Sequence, residues 1–219
     1  CRVVAIVAGD AEAECANPGD EVSVVLDQTP FYAEMGGQCG DTGYLTDGGS
    51  LRVRVSDTKG KNGLYAHVAT VEEGTLRVGD VVTAVVDHGR RELIRRNHTA
   101  THLLDAALKQ VLGEHVSQAG SFVGPDRLRF DFTHFEAMTA DELARVEGLV
   151  NAEIFAAEPI VTRVMGIDEA KASGAVALFG EKYGETVRVV STGASDAPFS
   201  RELCGGTHAR NPADLGLFK

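Results

Sequence analysis

The sequence predicts an α+β protein, with a small N-terminal β-barrel over residues 1–88 and a mixed core of antiparallel sheet and helices over residues 89–219. Two observations carry this reading. Up to about Val86 the apolar residues fall in short, β-branched, partly alternating runs separated by turn clusters. Near Asp87 the apolar spacing changes to that of a helix, and from there helical and strand-like segments are mixed.

In the first part the chain opens in a strand-like run, Cys1 to Val7, and Glu21 to Leu26, Leu51 to Val55, Leu64 to Val68 and Asp80 to Val86 read as strands. Between them lie Asn17-Pro-Gly-Asp20, Thr46-Asp-Gly-Gly-Ser50, Lys59-Gly-Lys-Asn-Gly63 and Val78-Gly-Asp80, all rich in turn formers. Several short strands at this spacing suggest a barrel. In the second part, Arg90 to Leu112 has helical spacing (Leu93, Ile94, Leu103, Leu104, Ala107, Leu108, Val111) and stops at Gly113. Asn97 could cap a second helix starting at His98, so one kinked helix and two short ones both fit. Val116 to Val123 and Arg127 to Phe132 read as strands. Thr139-Ala-Asp-Glu142 is a capping box. It opens a helix with Leu143, Val146, Val150 and Ile154 on one face, ending before Pro159. Strands are expected at Ile160 to Val164, Val187 to Val190 and Arg201 to Cys204, and a short helix at Asp168 to Ser173.

Composition narrows the function. The 219 residues are 43% hydrophobic and 24% charged, ordinary for a globular protein. No apolar run approaches the roughly 18 residues of a membrane span, and no signal-peptide layout opens the chain. Both ends lie in apolar runs, which reads as a piece of a longer polypeptide, truncated at its C-terminal end. The four cysteines (Cys1, Cys15, Cys39, Cys204) could form two disulfides, but a chain this large and core-rich needs no staples, so a reducing cytoplasm is expected. A net charge of −11 excludes binding to nucleic acid by bulk charge; an RNA partner would need a local basic patch.

His98-Thr-Ala-Thr-His102 places two imidazoles at i and i+4, on one face of a helix. That spacing suits two ligands to one metal, although helical histidines are also common as surface or satisfied core residues. Cys204-Gly-Gly-Thr-His208 adds a thiol and an imidazole across a glycine-rich turn that lets both reach one point. Together the motifs offer one thiolate and three imidazoles, a set suited to one tetrahedral zinc ion per chain. His67, His88, His115 and His134 are scattered and read as structural or surface residues.

With those residues in view, the chain resembles the editing domain of alanyl-tRNA synthetases and the free-standing AlaX deacylases. The resemblance rests on Asn97-His-Thr-Ala-Thr-His-Leu-Leu104 with Cys204-Gly-Gly-Thr-His208, and it continues elsewhere. Thr29-Pro-Phe-Tyr-Ala-Glu-Met-Gly-Gly-Gln38 and Gly40-Asp-Thr-Gly43 are similar to the family's barrel segment. His115-Val-Ser-Gln-Ala-Gly-Ser121, Leu128-Arg-Phe-Asp-Phe132 and Ala177-Leu-Phe-Gly-Glu-Lys-Tyr183 are similar to the synthetases rather than to the shorter deacylases. Threonyl-tRNA synthetases share a related core, but their cysteine motif typically carries Pro where this chain has Thr207.

The resemblance implies an editing hydrolase that cleaves serine or glycine from wrongly charged alanine tRNA. A pocket sized for alanine excludes glycine poorly, since one methyl is worth only about 1–3 kcal/mol, so a second site must remove errors. It further implies that Thr101, Gln118 and Ser121 line the substrate pocket and that Cys204 and Gln118 take part in hydrolysis. The implied partners are the aminoacylated 3′ end of that tRNA and the rest of the parent synthetase, with no membrane. Four protein ligands leave a zinc ion no open position, which favours an orienting role over water activation.

Arg90, Arg91, Arg95 and Arg96 form a basic cluster before the zinc motif, a candidate for phosphate contact or a solvated helix face. Gly36-Gly-Gln38 has the order of the ester-hydrolysing tripeptide of release factors, but its two glycines read more simply as a tight turn. Two rival readings stay open: a free-standing trans-editing deacylase and a non-catalytic, zinc-stabilised RNA-binding module.

Overall fold

The computed structural model describes residues 1–61, 63–177 and 183–219. These fall into two compact units, Cys1–Arg91 and Glu92–Lys219. All sheets are antiparallel and the described helices are few.

The first unit is built from β1 (Val3–Ala8), β2 (Ala11–Ala13), β3 (Cys15–Ala16), β4 (Glu21–Leu26), β5 (Gly43–Thr46), β6 (Arg52–Lys61), β7 (Leu64–Glu73), β8 (Leu76–Arg77) and β9 (Thr83–Val86). Seven of them form one sheet in the order β2-β1-β4-β7-β6-β5-β9, while β3 and β8 pair separately. Alternation drives the packing: Val22, Val24 and Leu26 of β4 and Val53 and Val55 of β6 point inward, joining Ile6, Leu45 and Val71 in one apolar cluster. Cys1 to Val3 also exchange backbone bonds with Gly79 to Val82, just before β9. The pairings establish an antiparallel sheet; a closed barrel is a further step.

Strands β6 and β7 run well past the segments expected from sequence. Of the added residues, Asp57 to Lys61 pair with Leu64 to Val68, and Ala69 to Glu73 with Arg52 to Val55; two register shifts and mixed polar and apolar positions make pattern alone stop short. Strands β2, β3, β5 and β8, none longer than four residues, are too short to show a period.

Met35 and Gln38 exchange backbone bonds at 3.2 and 3.0 Å across Gly36 and Gly37, whose φ values are +58° and +82°. Two positive φ angles in a two-residue loop make a type I′ hairpin turn, which only glycine-like residues enter without strain. The Gly36-Gly37-Gln38 order is thus accounted for by backbone geometry. Nearby Gly40 packs on β6 so closely that a Cβ would meet Thr58 O at 2.3 Å.

His67, on β7, is fully buried in this unit. Its Nδ1 donates to Val24 O at 2.8 Å and its Nε2 accepts from the Thr29 hydroxyl at 2.8 Å. Burial lowers its pKa below the usual 6.5, opposed by the bond to Val24. The folded chain therefore keeps His67 neutral where the unfolded chain binds a proton. Its contribution to stability is complete above about pH 6.5 and is lost as pH falls from there through the folded pKa, with a limiting slope of about 1.4 kcal/mol per pH unit. We expect urea denaturation between pH 7.5 and 5.5 to show a shallower acid loss in His67→Gln than in the parent chain. Equal slopes would remove His67 from the acid response.

The second unit contains most of α1 (His88–Leu112), then β10 (Gln118–Val123), β11 (Leu128–Phe132), α2 (Ala140–Ala156), β12 (Val161–Gly166), α3 (Ile167–Ala172), β13 (Thr186–Gly193) and β14 (Pro198–Leu203), with a final 3₁₀ turn at Pro212–Leu215. Helix α1 is one element. Asp87 caps it, its carboxylate accepting from Arg90 N at 3.0 Å, so Asn97 caps nothing and its side chain instead donates to Gly124 O at 2.8 Å. Every residue from His98 to Leu103 is buried, which erases the amphipathic period in the middle of the helix.

Thr139 and Glu142 form the expected capping box on α2. Val146, Val150 and Ile154 pack with Leu103, Ala107, Leu108 and Val116, but Leu143, expected on the same face, stays 55% exposed one turn from the cap. Strands β12, β13 and β14 form a three-stranded sheet, with Val161, Ser191 and Arg201 in one row and Thr162, Val190 and Glu202 in the next. Most of the Ala177–Tyr183 motif lies outside the described residues. Among the described residues no helix is long and apolar enough to cross a membrane.

Candidate metal centre

The two halves of the centre come from different kinds of element. Helix α1 presents His98 and His102 one turn apart, with ring centroids 5.2 Å apart. Cys204 follows the end of β14, and the turn through Gly205 and Gly206 brings His208 back beside it. The Cys204 Sγ lies 3.4 Å from His98 Nε2 and 3.2 Å from His208 Nε2. One nitrogen or sulfur atom from each of the four residues lies within 4.8 Å of every other. A tetrahedral zinc ion with ordinary bond lengths holds its donors about 3.3–3.6 Å apart, so donor set and spacing both fit such an ion. The four residues could hold a metal.

Burial prepares the imidazoles for that task. It pushes His98 down to about 4 and His102 and His208 well below their usual value, with the Arg188 guanidinium adding to the effect in each. All three are therefore neutral at physiological pH, the form that binds a cation. His102 Nδ1 is buried with no hydrogen-bond partner. An orphaned buried nitrogen is costly unless something of opposite character meets it.

The surroundings orient the ligands. The Thr99 hydroxyl oxygen lies 3.2 Å from His208 Nδ1 and accepts from Ala209 N at 3.1 Å, which fixes the ring with Nε2 toward Cys204. Gly206 N donates to the Cys204 sulfur at 3.3 Å. Arg188, on β13, donates to Cys204 O at 3.1 Å and also to Gly206 O, tying down the turn by its carbonyls. Glu202 Oε2 sits 3.5 Å from His102 Nε2, and the Ser200 hydroxyl donates to Glu202 Oε1 at 3.0 Å. Burial, with the Asp105 carboxylate adding to it, raises the Glu202 carboxyl to about 8; the charge of a bound divalent cation acts the other way.

A β-bulge shapes the neighbouring strand. Gln118 pairs with Phe132 and Ser121 with Phe130, the register slipping between Gln118 and Gly120. Residues three apart on a regular strand face opposite ways. The extra residue turns Gln118 and Ser121 to the same face, the one on which Phe130 and Phe132 pack against the α1 cluster. Thr101 is buried on α1, its hydroxyl donating to Asn97 O at 2.8 Å.

Residues 1–90 match the family model for class II (A) tRNA synthetases, and residues 187–219 match the second additional domain of threonyl and alanyl tRNA synthetases. The alanine–tRNA ligase of Thermus thermophilus is 57% identical over 99% of this chain, and that of Bradyrhizobium diazoefficiens 52% over 99%. That of Halorhodospira halophila is 55% identical over 92%. The chain belongs to the alanyl-tRNA synthetase family. It spans about a quarter of the length of these relatives.

In this chain the four arginines part company. Arg90 donates to Gly40 O at 2.8 Å and reaches Cys39 Sγ at 3.4 Å. Arg91 pairs with Asp41, which is 1% exposed, and donates to Pro30 O at 2.6 Å. Arg95 bonds Glu92 at 2.5 Å, and Arg96 faces solvent with no ion pair among the described residues. Thr99, Arg188 and Glu202 are the residues around the metal ligands that motif reading missed. Only Thr99, inside the His98–His102 motif, carried any sequence signal.

Removing the Thr99 hydroxyl should free the His208 ring without touching a ligand. We expect Thr99→Val to lower metal affinity by about 10–100-fold in a chelator competition, with Thr99→Ser close to the parent chain. Unchanged affinity in the valine variant would show that the ring is held by other means.

Proposed function

We propose that this chain is the editing module of an alanyl-tRNA synthetase, hydrolysing the ester that links serine or glycine to alanine tRNA. One observation carries the reading: two motifs over 100 residues apart converge on a single three-nitrogen, one-sulfur cluster, in a chain similar throughout its length to alanine–tRNA ligases. The metal is proposed to be zinc, one per chain, held by His98, His102, Cys204 and His208. When bound it would supply a fixed positive charge and join helix to turn.

The chain's own residues do the selecting. Serine differs from alanine by one hydroxyl, and polar groups that bond it are left unpaired by alanine, a difference of about 1–3 kcal/mol. Gln118 and Ser121, brought to one face by the bulge, are assigned to this pocket with Thr101. Gln118 offers both a donor and an acceptor, suited to holding a water or the substrate amine beside the ester. In the reaction water adds to the ester carbonyl, the bond to the ribose oxygen breaks, and the amino acid leaves as its carboxylate. The proposed setting is the cytoplasm. The proposed organisation is a barrel of residues 1–88 followed in the chain by an editing core of residues 89–219.

The full set of four protein ligands also supports a second reading, a purely structural metal. Deacylation of Ser-, Gly- and Ala-charged tRNA, with metal content measured on the same sample, separates the two. The editing reading expects Cys204→Ala to abolish release of serine, and Gln118→Ala or Ser121→Ala to cut it about 10–100-fold with metal and fold retained. Parent-like rates in all three variants would leave only the structural role.

Of the four arginines proposed for tRNA contact, Arg96 is the most available, because Arg90 and Arg91 are committed to groups within the chain. Arg96→Gln is expected to reduce the salt slope of tRNA binding by about one unit, and Arg91→Gln to act mainly through stability. An unchanged slope for Arg96→Gln would remove the cluster from the interface.

A further inference from the structure

The sheet of β12, β13 and β14 has two faces, and the metal centre uses only one. On β14 Glu202 points toward His102, so by alternation its neighbour Arg201 points to the opposite face. There a cleft of about 220 Å³ opens between the sheet, the end of α3 and the turn from β13 to β14. Val161, Met165 and Val189 make an apolar floor, and Arg163, Arg201, Glu169 and three serines supply its polar groups.

The charge of this cleft is unusual for the molecule. Two guanidiniums face one carboxylate in a chain of net charge −11. Arg201 is half-buried and held in place: it donates to Ser173 O, at the C-terminal end of α3, at 2.5 Å and to the Ser191 hydroxyl at 3.4 Å. Neither bond neutralises it, and neither Arg163 nor Arg201 has a carboxylate within ion-pair distance among the described residues. Three of the five N–H donors of Arg201 remain without a protein acceptor there. A fixed, uncompensated guanidinium beside serine hydroxyls is the arrangement that binds phosphate.

We propose that this cleft is a second ligand site, which takes a nucleotide phosphate on the sheet face turned away from the metal centre. The phosphate lies against Arg201, Arg163 and the hydroxyls of Ser191 and Ser195. The apolar floor and Glu169 suit the attached nucleoside, the carboxylate accepting from sugar hydroxyls. The volume is below the roughly 300–1,000 Å³ of clefts that enclose drug-sized ligands, so it takes the phosphate and part of the nucleoside of one nucleotide unit and leaves the rest at the open mouth. That unit is a free nucleotide or one residue of an RNA strand. The site goes beyond the editing reading and stands apart from the residues that carry it.

The test is an NMR titration of the full ¹⁵N-labelled chain with inorganic phosphate, AMP and a short single-stranded RNA in separate arms. AMP is expected to shift the amide resonances of Arg163, Ser173, Ser191, Ser195 and Arg201. Arg163→Gln, at an exposed position without an intrachain partner, should weaken this by about tenfold or more. Tighter binding of the RNA assigns the site to a strand; tighter binding of AMP assigns it to a free nucleotide. Shifts confined to Cys204 through His208, no shifts at millimolar AMP and RNA, response to phosphate alone, or an unaltered titration in Arg163→Gln would overturn the proposal.

Discussion

The second unit is organised around one constraint: four side chains that could hold a metal lie within a few ångströms of each other, largely out of water. Packing three imidazoles and a thiol together takes polar atoms out of water, and among the described residues His102 Nδ1 has no hydrogen-bond partner. Such an arrangement is costly for a chain to maintain for its own sake. Most of the neighbouring polar contacts serve to hold it. The bonds of Thr99, Arg188 and Gly206 fix one ring and one turn, and the uninterrupted α1 sets the other two rings by helical geometry alone.

That constraint also explains why α1 is a single helix through a segment without amphipathic spacing. A break at Asn97 would separate His98 and His102 from the capped N-terminal turn, and nothing in the segment supplies a second cap, since the Asn97 side chain is occupied by Gly124 O. The interior is instead filled on every side from His98 to Leu103. Local polarity, which in the sequence looks like a boundary, is the cost of placing ligands in a core.

Much of the centre was legible because its chemistry lies in short motifs whose residue types are rarely combined by chance. The i, i+4 histidines and the Cys-Gly-Gly-Thr-His turn needed only local geometry to be read. What supports them was illegible, because Arg188 and Glu202 act across the sheet and their partners are set by register. The bulge at Gln118 is the sharpest case. Read as a regular strand, Gln118 and Ser121 fall on opposite faces; one extra residue, invisible to any alternation rule, brings them together. Leu143 differs from expectation for the complementary reason, and the four arginines, adjacent in sequence, divide for it too. Spacing says which residues share a face, but not which apolar residue finds a neighbour or which charge is used up inside.

The arginines bear on how so acidic a chain would meet the RNA partner proposed for it. Of the four that precede the metal motif, Arg90 and Arg91 are committed to carbonyls and to buried Asp41, and Arg95 leans on Glu92. Positive charge is therefore available at a few fixed points, and RNA cannot be held by a broad field. Binding of that kind is weak without shape and register to reinforce it, which favours a role in positioning one end of a strand over gripping its length. An editing step asks for the same thing: the ester must reach the pocket, and the cleaved product must leave it.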